Sequence, residues 1–161
     1  MASQEPDIPV QPPLLDRLID LDPMSGGDTR PSRGAAVRLL KNALRRDLEW
    51  LLNTRRTPVD LPPGFSELRK SVFNYGLPDL TAVSLHSQAD EGRLLDMLEK
   101  TIAMFEPRLA RVKVVSREPF RAQERTLHFH IEAFLLVDPA PEAVSFDTVF
   151  KVDHCSCEVK G

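Results

Sequence analysis

Leu127, Phe129, Ile131, Ala133, Leu135 and Val137 fall at every second position of one segment, with Thr126, His128, His130 and Glu132 between them. Successive side chains of a strand point to opposite faces, so this spacing predicts a strand with one apolar face. Val112 and Val114 between Arg111 and Lys113 repeat the pattern upstream. Phe146, Thr148, Phe150 and Val152, set around Asp147 and Lys151, repeat it downstream. Three strands are expected. The connections at 117–125 and 138–144 are short and polar, as antiparallel neighbours require. Such a sheet must cover its apolar face with another layer.

The preceding half of the chain supplies that layer. Val37, Leu40, Leu44, Leu48 and Leu51 are spaced by three and four, which builds one apolar stripe on a helix. Pro31 and Ser32 suit its start and Pro58 follows its end, expected near 53–56. Trp50 lies beside the stripe. Leu94, Leu95, Leu98, Ile102 and Phe105 form the face of a second long helix, led in by residues 84–89 and ended by Pro107. Between the two helices, 57–65 reads as a proline-rich connector. SVFNYGLPDL at 71–80 reads as a helical turn and a tight loop. The expected fold class is α+β, with N-terminal helices packed on a small antiparallel β-sheet.

Residues 1–29 read differently. Pro6, Pro9, Pro12 and Pro13 mark a flexible segment, followed by a short amphipathic helix carrying Leu14, Leu15, Leu18 and Ile19. Pro23, Gly26 and Gly27 end it. That helix can pack on its own core or enter a neighbour's groove, and the sequence leaves both open. Residues 30–161 form the expected single domain. Charge divides along the same line. The first 29 residues carry Glu5, Asp7, Asp16, Asp20, Asp22 and Asp28 against Arg17. The next stretch carries Arg30, Arg33, Arg38, Lys41, Arg45, Arg46, Arg55 and Arg56 against Asp47 and Glu49. Solvated helix faces are one reading and an electrostatic docking surface is the other.

A net charge of −3 gives no reason to expect nucleic acid as a partner. No apolar run reaches the roughly 20 residues needed to cross a bilayer. The opening MASQEPDIPVQPP lacks the basic start and apolar stretch of a secretory signal, so a cytoplasmic location is expected. Cys155 and Cys157 are not expected to pair with each other, because alternate strand residues point the same way but are held well apart, which fits a reducing compartment.

Few residues suggest chemistry. Glu106-Pro107-Arg108 holds a carboxylate and a guanidinium on either side of a fixed proline, at a helix–strand junction. If the segment is extended, both charges face one side, where the arginine can grip carboxylates or carbonyls in a planar fork. A plain helix-end charge is the bland alternative. As a glycosidase acid Glu106 needs a second carboxylate and a raised pKa. No neighbour in the sequence announces itself as that partner, and Arg108 is expected to lower the pKa. His154, Cys155 and Cys157 lack the spacing of a zinc site and read as the end of a strand. His128 and His130 read as surface or interface residues with no evident carboxylate. No metal and no cofactor is expected.

RDLEWLLNTR at 46–55, SVFNYGLPDL at 71–80, FEPRL at 105–109 and the final pair of alternating strands, in this order, resemble the TssE family of type VI secretion baseplate subunits. That family is related to a phage baseplate-wedge group often labelled lysozyme-related. The likeness spans roughly 30–152 and excludes the last residues, DHCSCEVKG. It implies a cytoplasmic, non-enzymatic structural subunit with TssF, TssG and TssK as partners and the sheath proteins TssB and TssC on the same assembly. It also implies that Glu106, Pro107 and Arg108 act as a clamp on the wedge's core bundle, with the sheet as a template for the contractile sheath. The lysozyme label implies a peptidoglycan-cleaving glycosidase, the alternative function. A small regulatory binding module is the remoter one.

Overall fold

The computed structural model describes residues 13–19, 32–59, 62, 64–80, 88–118, 126–151 and 156–161. In chain order these form α1 (Leu14–Leu18), α2 (Arg33–Asn53), α3 (Ser66–Arg69), a 3-10 turn (Val72–Asn74), α4 (Gln88–Phe105), β1 (Leu109–Ser116), β2 (Thr126–Leu135), β3 (Glu142–Lys151) and β4 (Ser156–Lys160). The strands form one antiparallel sheet in the order β1-β2-β3-β4. The α+β class, helices with an antiparallel sheet, is as expected.

The sequence stripes become the core. Along α2, Ala36, Val37, Leu40, Ala43, Leu44, Leu48, Leu51 and Leu52 are buried. Leu94, Leu98 and Ile102 of α4 join them. Below lie Leu127, Phe129, Ile131 and Leu135 of β2 and Val144, Phe146 and Phe150 of β3. α4 packs over β1 and α2 over β4, so the two helices share one sheet face. Burial of these side chains removes apolar surface from water at about 25 cal/mol per Å², which makes this layer contact the main stabilising term.

The boundaries need correction. The sheet has four strands among the described residues, not three. β4 is built from residues that were expected to end the preceding strand, and Cys157 and Val159 are its buried pair. Two apolar positions are too few for alternation to stand out. β3 begins at Glu142, four residues before the expected Phe146. β1 begins at Leu109 and is interrupted between Ala110 and Lys113, where Arg111 takes a left-handed φ of 52°. The irregularity breaks the period that would have revealed the whole strand. Val152, His154, Cys155, the proposed lead-in at 84–87, and residues 1–12 and 20–31 lie outside the described residues.

Both helix ends are set locally. Ser32 caps α2, its Oγ accepting from Ala35 N–H at 3.4 Å. At the other end Thr54 turns extended, and its N–H bonds Trp50 O at 3.0 Å. The chain then pairs with a distant segment: Arg56 N–H bonds Leu77 O at 2.8 Å and Leu77 N–H bonds Thr54 O at 2.8 Å, a parallel bridge. Gly76 makes this possible. Its φ is +102° and a Cβ there would collide with the Thr54 carbonyl. The loop signal at 74–76 therefore marks where the connector is stitched to the end of α2. Tyr75 beside it packs edge-on against Phe105, with ring centroids 5.3 Å apart.

Candidate functional site

α4 ends where Pro107 requires it to, with Glu106 N–H making the final bond to Ile102 O at 2.9 Å. The next three residues are not extended, as one sequence reading held. Leu109 N–H bonds Glu106 O at 3.0 Å and closes a tight turn. Arg108 is anchored from behind, its carbonyl accepting from Leu136 N–H at 2.9 Å. The turn folds the two charges onto each other. Arg108 Nη2 donates to Glu106 Oε2 at 2.7 Å and Nε donates to the same oxygen at 3.0 Å.

A third residue completes the group. Asp47, on α2, accepts from Arg108 Nη2 through Oδ2 at 2.7 Å. Its other oxygen accepts from Arg46 at 3.0 and 3.2 Å. Arg46 in turn donates to Asp16 of α1 at 2.6 Å, and its guanidinium lies 5.0 Å from the Trp50 ring centre. One chain of alternating charges thus runs from α1 across α2 to the turn after α4. Part of the charge division along the sequence is used inside the molecule, where Asp16 of α1 binds Arg46 of the basic helix. Sequence reasoning did not bring Asp47 to the site, although it stands inside the 46–55 motif. The pairing spans 61 positions and no local signal reports it.

Burial is graded across the group. Glu106 is 6% exposed, whereas the side chains of Arg108 and Asp47 keep 25% and 21%. Burial pushes the Glu106 carboxyl above its ordinary value, Arg108 opposes this, and Asp47 adds to it. Arg108 pulls the Glu106 pKa down as expected, but desolvation outweighs the ion pair, so the net shift is upward. Arg108 itself is raised. Burial pulls it down, but its hydrogen bonds to Glu106 and Asp47 more than compensate. Arg46 is raised chiefly by its bond to Asp16. Arg108 Nη1 has no partner among the described residues, so one donor face of the fork points away from the internal pair.

The remaining candidates fall elsewhere. His130 does have a carboxylate: Asp147 lies opposite it on β3, with Nδ1 and Oδ1 2.9 Å apart, and Arg117 stands 3.3 Å from the same nitrogen. His128 shares that helix-free face of the sheet. Cys157 is buried, and burial pushes its thiol well above the usual range.

The two sheet edges are β1 and β4. On β4, Asn53 brackets the Cys157 backbone and Arg45 donates to Val159 O at 3.3 Å. On β1, Glu99 accepts from Val114 N–H at 3.2 Å. Among the described residues no helix is long and apolar enough to cross a membrane.

No curated protein and no solved structure gives a significant match to the chain. The family described as baseplate wedge protein gp25 matches residues 38–140. Those limits take in α2 from Arg38 onward, the Arg55–Leu77 bridge, α4, the Glu106–Arg108 turn, and β1 and β2. The chain belongs to the baseplate wedge protein gp25 family and is thereby a structural component of a baseplate.

Proposed function

We propose that this chain is the TssE-like wedge subunit of a type VI secretion baseplate, acting in the cytoplasm as a structural adaptor without catalytic activity. Its Glu106-Pro107-Arg108 turn clamps the wedge core formed with TssF and TssG. The observation that carries this reading is the shared guanidinium: Arg108 is fixed by two carboxylates while a quarter of its side chain stays exposed. A fork held in place before contact loses less entropy when it grips carbonyls or carboxylates of a partner.

Two features favour the glycosidase alternative, the raised Glu106 and a second carboxylate at Asp47. Against it, Glu106 is almost fully buried and its Oε2 is occupied by Arg108, so it has little room to meet a glycosidic oxygen.

The second half of the proposal is sheath templating. TssB and TssC, with TssK on the same assembly, would meet the sheet at an open edge, where an added strand pairs through backbone groups. Among the described residues three such groups on β4 are held by Asn53 and Arg45, but on β1 only Val114 N–H is held. We therefore assign the template to β1. Arg117 N–H bonds His128 O, so by alternation the Ser116 N–H faces outward, and proline there blocks addition without breaking the β1–β2 ladder.

Co-expression with TssF and TssG followed by size-exclusion chromatography tests the clamp. Arg108→Ala should lose the complex while remaining folded by circular dichroism, and retained co-purification would count against it. Ser116→Pro should stop sheath polymerisation but keep the TssF/TssG complex. Clearing of a cell-wall suspension that disappears in Glu106→Gln would instead establish the glycosidase.

A further inference from the structure

A groove of about 400 Å³ lies between α4 and the bridged connector, and none of Asp47, Glu106 and Arg108 lines it. Its apolar lining comes from Met97, Met104 and Phe105 and its charged rim from Arg56, Arg93 and Lys100. Asp96 is the one carboxylate among the lining residues. Met104 remains 43% exposed in spite of its size. Arg56 and Lys100 have no ion-pair partner among the described residues, and Arg93 reaches only Asp90, at 3.7 Å. Methionines are flexible and polarisable, and a methionine floor rimmed by cations suits an acidic amphipathic helix.

The chain carries a short amphipathic helix, α1, within a segment of acidic sequence. Leu14, Leu15 and Leu18 of α1 are 75%, 54% and 81% exposed, and Ile19 just beyond it is 41% exposed. Asp16 points the other way, into α2, where it binds Arg46. α1 is therefore pinned by its polar side and presents its apolar side to water. The surrounding sequence is acidic, with Asp20 and Asp22 following. The exposures show that α1 does not fill the groove of its own chain. It is pinned at Arg46, about two helical turns before the end of α2.

We infer that the leucine face of α1 docks in the Arg56/Arg93/Lys100 groove of a second copy of this chain. Apolar contacts to Met97, Met104 and Phe105 bury the leucines, and the acidic sequence meets the cationic rim. The contact is heterologous, arm to groove, so each copy keeps one unused arm and one unused groove. Repetition closes a ring or extends a filament. The inference does not depend on the clamp, because neither surface includes Glu106 or Arg108.

Sedimentation velocity on the full chain over a range of concentrations tests it. The unsubstituted protein should self-associate, more weakly as salt rises. Leu15→Asp with Leu18→Asp, and separately Arg93→Glu with Lys100→Glu, should each weaken association by at least about tenfold. All four side chains lie on the surface, and circular dichroism checks that both variants fold. Mixing the two variants should restore a one-to-one heterodimer, since one supplies the arm and the other the groove. A protein that stays monomeric at every concentration overturns the inference. Association that survives either pair of substitutions overturns it too, as does a mixture that fails to associate.

Discussion

The side-chain amide of Asn53 brackets the backbone of Cys157, its Oδ1 accepting the N–H at 2.7 Å and its Nδ2 donating to the carbonyl at 2.9 Å. The last residue of α2 thus behaves like one residue of a fifth strand. It satisfies both backbone groups that β4 presents outward at that position, and it ties the helix layer to the sheet edge.

Asn53→Ala removes both bonds and leaves a part-buried N–H and carbonyl unmet. The expected loss is about 2 kcal/mol of unfolding free energy. Urea denaturation followed by circular dichroism measures it. A midpoint equal to that of the unsubstituted protein would show that water replaces the amide at no cost.

Arg108 is the only cation bonded to Glu106 among the described residues, and Asp47 has Arg46 as well. Arg108→Ala should therefore destabilise the isolated domain more than Asp47→Ala does. Breaking a fully buried pair costs about 3–5 kcal/mol. Arg108 is a quarter exposed, so about 1–3 kcal/mol is expected after discounting for solvent. A domain with a stability of about 5–15 kcal/mol remains folded. Adding Glu106→Gln to Arg108→Ala should recover part of the loss, because no charge is then left buried. Equal losses in the single and double variants would mean that Glu106 is solvated in practice.

The raised Glu106 carboxyl gives a pH dependence of defined sign. The folded state holds this proton more tightly than the unfolded chain, whose carboxyl titrates near its ordinary 4.5. The contribution is complete below that value and is lost as pH rises through the folded pKa. Relative to Glu106→Gln, which does not titrate, the unsubstituted protein should lose stability across that window and level off above it. Paired denaturation series from pH 4 to pH 7 read this directly, and an unsubstituted protein that gains stability relative to Glu106→Gln as pH rises would reverse the assignment.

The sequence made the layers legible because leucines at three-and-four spacing and apolar residues at every second position are local signals. Leu44, Leu48, Leu98 and Ile102 reached the core for that reason, as did Phe129 and Ile131. The interrupted start of β1 and the two-residue core of β4 were illegible because neither keeps a period long enough to register. Glu106 and Arg108 could be singled out because proline fixes the chain between them. Asp47 could not, because its link to Arg108 depends on how α2 crosses the end of α4. The resemblance of the 46–55 segment supplied the stretch that holds it, but not its role.

Gly76 is the point where the connector depends on a missing side chain. Its φ of +102° is strained for any L residue, and a Cβ would run into the Thr54 carbonyl, which accepts the Leu77 N–H. Gly76→Ala should break the Arg55–Leu77 bridge and shift Tyr75 off Phe105. Strain of about 1–3 kcal/mol together with a lost hydrogen bond is expected to lower the melting temperature by several degrees. Hydrogen exchange locates the change. The Leu77 and Arg56 amides should lose protection while Leu98 and Ile131, in the core, keep theirs. Protection lost uniformly across the chain would mean that the bridge is part of the global folding unit and not a local stitch.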